Sequence, residues 1–200
     1  MRAIAVLGAL FVLGLIAALG GCGNSPIEAH TVPTLLSING GAPVHADVWV
    51  ADTSLASGGS IPEESAVFVF SNPPSQEFLD ISPDDPYGIF TITSYRIDYT
   101  ILQVLAGGGV VPSATLPSLS GAMHLSLPVG SETEVALVLA PASLKMESPL
   151  IELFPDGSAP NGEIVVRADV SFLGRESGQD FTRMLEGSAT VLFANYADED

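Results

Sequence analysis

The 200-residue chain carries 23 Asp and Glu against 6 Lys and Arg, a formal net charge of −17 at pH 7, with one cysteine and three histidines. A field of that sign disfavours nucleic acid and anionic lipid surfaces, a single thiol excludes an intradomain disulfide, and the scattered histidines give no Cys/His zinc spacing. The length suffices for one good-sized core or two small ones.

The first element is apolar. Met1-Arg2 gives a short positive start, Ala3 to Leu19 follow without a charge, and the narrow residues Gly20 and Gly21 precede Cys22. A bilayer-spanning helix needs about 17–25 apolar residues, so the run is just long enough for a retained anchor. Gly8, Gly14, Gly20 and Gly21 weaken such a helix by about 1 kcal/mol each relative to Ala. An ordinary cleaved signal would leave a lone thiol in an oxidising compartment. Taken together, Leu19-Gly20-Gly21-Cys22 resembles the lipobox of bacterial lipoproteins, and residues 1–21 resemble their helical signal peptide. The resemblance covers about a tenth of the chain. It implies diacylglyceryl transfer to the Cys22 sulfur, cleavage before Cys22, acylation of the new N-terminus, and the membrane as a partner. In that family an Asp after the cysteine retains some members at the inner membrane. Gly23 is not Asp, so the resemblance implies a bacterial envelope protein at the outer membrane.

Residues 22–33 are polar and turn-like, with Asn24-Ser25-Pro26 among them, and read as a short flexible tether. Its relaxed reach of about 15–20 Å would keep residues 34–200, read as a single domain, close to the membrane.

From Pro33 onward the pattern is short β runs between Gly, Pro, Asn and Ser clusters. Val44, Ala46, Val48 and Val50 alternate with His45, Asp47 and Trp49. Ala66 to Phe70 is a continuous apolar run, as in a strand covered on both faces. Phe90 and Ile92 are out of phase with Tyr95, Ile97, Tyr99 and Ile101, and a bulge near Ser94 would reconcile them. Met123 to Leu127 and Val135 to Leu139 are joined tightly by Pro128-Val129-Gly130-Ser131. Ser143 to Leu153 is the place for a short helix or 3₁₀ turn. Ile164, Val166, Ala168, Val170 and Phe172 give the cleanest alternation. After a turn at Gly174 to Gly178, Ala189, Val191 and Phe193 share one phase. The pattern predicts an all-β antiparallel sandwich of seven to nine strands. It resembles the immunoglobulin fold in layout only, because the Cys…Trp…Cys hallmark is missing.

Chemistry-bearing motifs are sparse. Gly107-Gly108-Gly109 is followed by Val110-Val111-Pro112, not by Lys-Ser/Thr and a helix, so it reads as a hairpin loop. No Gly-x-Ser-x-Gly nucleophile turn is present. Asp80, Asp84 and Asp85 cluster in a loop able to offer calcium some oxygen ligands, and Asp156, Asn161 and Glu163 form a second such set. Neither matches a calcium-loop pattern, and polar β-turns use the same residues. Trp49 lies in the polar phase of its strand, where it would stack on a sugar or anchor a partner, or else pack beneath a loop. Arg96 with Asp98, and Arg167 with Asp169, put opposite charges two apart on one strand face and read as solvated cross-strand partners. The expected function is a lipid-anchored envelope lipoprotein, non-enzymatic and without cofactor, acting as a structural or protein-interaction module. The alternative is a module binding carbohydrate or calcium.

Overall fold

The structure is a computed structural model that describes residues 29–52, 58–105, 115–178 and 181–196. The expected signal peptide at residues 1–21, the expected lipidation site Cys22 and the run Gly107 to Gly109 lie outside the described residues.

The fold is all-β. Ten strands appear among the described residues: β1 (Thr34–Ile38), β2 (Val44–Asp47), β3 (Val50–Asp52), β4 (Gly58–Ser60), β5 (Glu64–Ser71), β6 (Ile89–Leu105), β7 (Leu119–Pro128), β8 (Glu132–Ala140), β9 (Glu163–Glu176) and β10 (Thr182–Ala194). The short β3–β4 pair takes the number above the seven to nine expected. A one-turn helix, α1 (Ala142–Lys145), and a 3₁₀ turn at Leu150–Leu153 occupy the predicted helical stretch. Among the described residues no helix is long and apolar enough to cross a membrane.

Among the described residues three sheets form, ordered β1-β5-β8, β2-β10-β9-β6-β7 and β3-β4. Every pairing is antiparallel except β2 with β10, which run parallel from Val44 opposite Val191 to Asp47 opposite Ala194. The two larger sheets share one core. Phe68 and Phe70 of β5 meet the ring of Phe172 on β9 edge-on, at centroid distances of 5.3 and 5.1 Å. Each fully buried aromatic of this kind contributes about 1.5–3 kcal/mol. The Tyr99 hydroxyl on β6 donates to the Leu139 carbonyl on β8 at 2.8 Å, a polar tie between the sheets. Burial pushes that phenol's pKa up.

Period-2 patterning explains most of this core. Ile164, Val166, Ala168, Val170 and Phe172 are all buried, as are Ala189, Val191 and Phe193 on the neighbouring strand. The register of β6 shifts between Ile92 and Ser94, where the phase change requires it, and again between Ile101 and Gln103. One expectation is corrected. β5 is covered on one face only: Ala66, Phe68 and Phe70 are buried, whereas Val67 is 41% exposed. The tight connection expected at residues 128–131 is present, with Gly130 at φ 73°; β7 and β8 enter different sheets, so it turns a corner between them.

The docked chain begins before the expected boundary at Thr34. The Val32 N–H donates to the Pro73 carbonyl at 2.8 Å, the Ser75 N–H donates to the His30 carbonyl at 2.8 Å, and Thr31 is buried. The chain is therefore docked from His30 onward, not from Thr34.

Candidate functional site

The docked segment lies against the loop joining β5 to β6, residues 72–88, and the two flank an open cavity of about 330 Å³. Backbone bonds fold this loop into consecutive turns: Phe78 N–H to Ser75 O, Ile81 N–H to Phe78 O, Asp85 N–H to Ser82 O and Gly88 N–H to Asp85 O, at 2.8–3.1 Å. Pro86 starts a 3₁₀ turn, where its missing N–H costs nothing. Asp85 caps that turn by accepting the Tyr87 N–H at 2.9 Å. At the loop's base Asn72 is fully buried. Its side-chain amide donates to the Leu127 carbonyl at 2.7 Å, and its own carbonyl accepts the Gly130 N–H at 2.8 Å.

The cavity is lined by His30, Phe78, Tyr87, Leu79, Ile81, Glu77, Asp80 and Asp85. His30 stands edge-on to Phe78 at 4.2 Å and tilted to Tyr87 at 5.8 Å, so three rings cluster on one wall. Leu79 is 70% exposed and Tyr87 49% exposed at the mouth. Behind the rings Glu176 is buried. It accepts the His30 N–H and the Thr31 hydroxyl, both at 3.1 Å, and the His30 Nδ1 lies 3.5 Å from its carboxylate.

The expected calcium ligands therefore separate in role. Asp85 is engaged in a cap, the Asp84 N–H donates to Ser82 Oγ at 3.4 Å, and Asp80 lines the cavity. Among the described residues no three His, Cys, Asp or Glu side chains gather to hold a metal, and this includes Asp156 with Glu163. Trp49 is half-buried. Its ring lies 5.8 Å from Phe154 and so close to Gly59 of β4 that a Cβ there would come within 2.2 Å of Cζ2. That packing beneath the β3–β4 pair occupies a surface a sugar ring would need.

A trough of about 460 Å³ lies along β6, β9 and β10, lined by Asp98, Asp169, Ser171, Glu186 and Ser188. Asp98 and Asp169 are direct register partners across β6 and β9. Like charges placed so repel, and each carries its own arginine along the strand. Arg96 binds Asp98 through Nη2 at 2.6 Å and Nε at 2.8 Å, and Arg167 binds Asp169 at 3.0 Å. The pairs thus run along a strand rather than across strands. Hydrogen bonds from Arg96 and Ser118 hold the Asp98 pKa down at about 2.

The buried polar pair was not foreseen. Lys145, the chain's only lysine, is fully buried. It donates to the carbonyls of Asp47 and Pro62 at 2.6 Å each and to the Glu64 carboxylate. Burial pushes the Lys145 ammonium pKa down and the Glu64 carboxyl up, and their mutual contact opposes both shifts. All three ammonium protons have acceptors, so this is a structural clamp joining α1 to β2 and β5. His30, Phe78, Tyr87 and Glu176 were missed as well. Glu176 had a signal: it continues the inward phase of Ile164 to Phe172. No family model matches the chain, and no curated protein matches it.

Proposed function

We propose that the chain is a lipid-anchored lipoprotein of the bacterial envelope, whose single folded unit serves as a non-enzymatic interaction module. The observation that carries this reading is the placing of Cys22, at the end of an uncharged apolar run, just before the point where the chain docks. Only residues 23–29 separate Cys22 from His30. Even fully extended they reach about 25 Å. Acylation of Cys22 by several chains gives stable attachment, whereas one chain alone holds marginally. The Gly at position 23 favours the outer membrane for it.

An immunoglobulin-like sandwich suits this role. The order β10-β9-β6-β7 corresponds to a G-F-C sheet with an added C′ strand, and β1-β5-β8 corresponds to A-B-E. Such folds present loops and sheet faces on a rigid scaffold. The cavity beside the 72–88 loop includes His30, eight positions after Cys22 in the sequence. The packing of Trp49 gives the carbohydrate alternative no open platform at that ring.

Purification of the acylated full chain from envelopes after crosslinking tests the reading. A stable stoichiometric protein partner is the expected outcome. Recovery of the chain with a bound glycan or metal and no protein partner would overturn it.

A further inference from the structure

From the cavity beside the docked N-terminal segment we infer a binding site for a cationic side chain, a guanidinium or an alkylammonium, presented by a partner protein. This deepens the interaction-module reading and rests on it. Three features converge. The first is the cavity itself, whose volume of about 330 Å³ accommodates one long side chain. The second is its wall of Phe78, Tyr87 and His30, with ring centroids 4.2 and 5.8 Å from the histidine. Aromatic faces attract cations through the ring quadrupole, and walls of several rings are a recurrent way to hold an ammonium group. The third is the charge of the rim: Asp80 and Asp85 line the cavity, and no Lys or Arg does. Asp85 uses Oδ1 for the Tyr87 N–H.

The carboxylates stand around a cavity rather than converging on one point, which suits an extended organic cation and not a metal ion. Leu79 and Ile81 supply the apolar surface that the methylene stem of Lys or Arg packs along. A lipid headgroup is the poorer fit, because its ammonium travels with a phosphate that Asp80 and Asp85 repel. The chain's charge of −17 adds a long-range field that draws a basic partner towards it.

The test is NMR of the isotope-labelled full chain in detergent micelles. It is titrated separately with N-acetyl-arginine methylamide, N-acetyl-lysine methylamide, the neutral norleucine analogue and phosphoethanolamine. The arginine and lysine probes should shift the ring resonances of Phe78, Tyr87 and His30 with millimolar affinity, and the norleucine probe should not. Asp80→Asn with Asp85→Asn keeps an acceptor for the Tyr87 N–H, and it should weaken both cations by about five- to ten-fold. Equal shifts with norleucine, tighter binding of phosphoethanolamine than of lysine, or no response to arginine at tens of millimolar would each overturn the assignment. If the probes fail while the acylated protein still captures a partner, the cavity assignment falls and the module reading stands. If no partner is captured either, both fall.

Discussion

Glu176, at the end of β9, accepts the backbone N–H of His30 and the hydroxyl of Thr31 across more than a hundred and forty residues of chain. This contact ties the first described residues to the end of β9. It also fixes His30 in the wall of the cavity.

Replacing Glu176 by Ala should undock residues 29–33. One buried and one part-buried donor lose their acceptor, worth at most roughly 1–3 kcal/mol each. The melting temperature should fall by about 5–10 °C for a domain of this size. Hydrogen exchange should locate the damage. The Val32 and Ser75 amides, which bond to Pro73 and His30, should lose protection, while the β9 amides at Val166 and Val170 keep theirs. Unchanged protection at Val32 would refute the docking account.

Lys145→Met should be among the costliest single changes, at about 3–5 kcal/mol by denaturant unfolding, because it strands a partly buried carboxylate and two carbonyls. Adding Glu64→Leu to it should recover part of that loss. Simple additivity of the two changes would argue against a coupled pair.

Asp98 should titrate with a midpoint of about 2 by NMR. In the Arg96→Ala variant it should rise towards the ordinary 3.8 but stop short of it, because Ser118 still donates at 2.6 Å. The sign follows from linkage. A carboxylate held low in the fold favours folding above its unfolded pKa, and that contribution disappears as the pH falls from about 4 through about 2. The group is exposed, so added salt should shrink the shift. An unchanged midpoint in Arg96→Ala would contradict the pairing.

Gly59→Ala places a methyl into the Trp49 ring. The expected cost is about 1–3 kcal/mol, with a red shift of Trp49 emission as the β3–β4 pair lifts. Wild-type emission should be blue-shifted and resistant to quenchers. A fully exposed, readily quenched Trp49 would restore the idea of a ligand platform.

Local patterning made much of the fold legible. The inward row of β9, the phase change resolved at Thr93 and the sharp connection at Gly130 all follow from side-chain period and turn chemistry. What stayed hidden depends on distant pairing. Nothing in Val135 to Leu139 says that it joins β5 rather than β7, or that β2 lies parallel to β10. A continuous apolar run such as Ala66 to Phe70 reads as doubly covered, yet its outer face is open because no layer packs there. The site was less legible still. Asp80 and Asp85 stood out by composition. Their meaning depends on His30 and Phe78, which only the folded loop brings into contact. Lys145 and Glu64 lie 81 positions apart, and neither carries a local mark of the other.

Mass spectrometry of the protein isolated from its native envelope tests the central claim most directly. The account predicts an N-terminal peptide that begins at Cys22 and carries acyl chains on the sulfur and the α-amine, absent in Cys22→Ser. An N-terminus retained upstream of Cys22, or an unmodified Cys22 thiol, would contradict it.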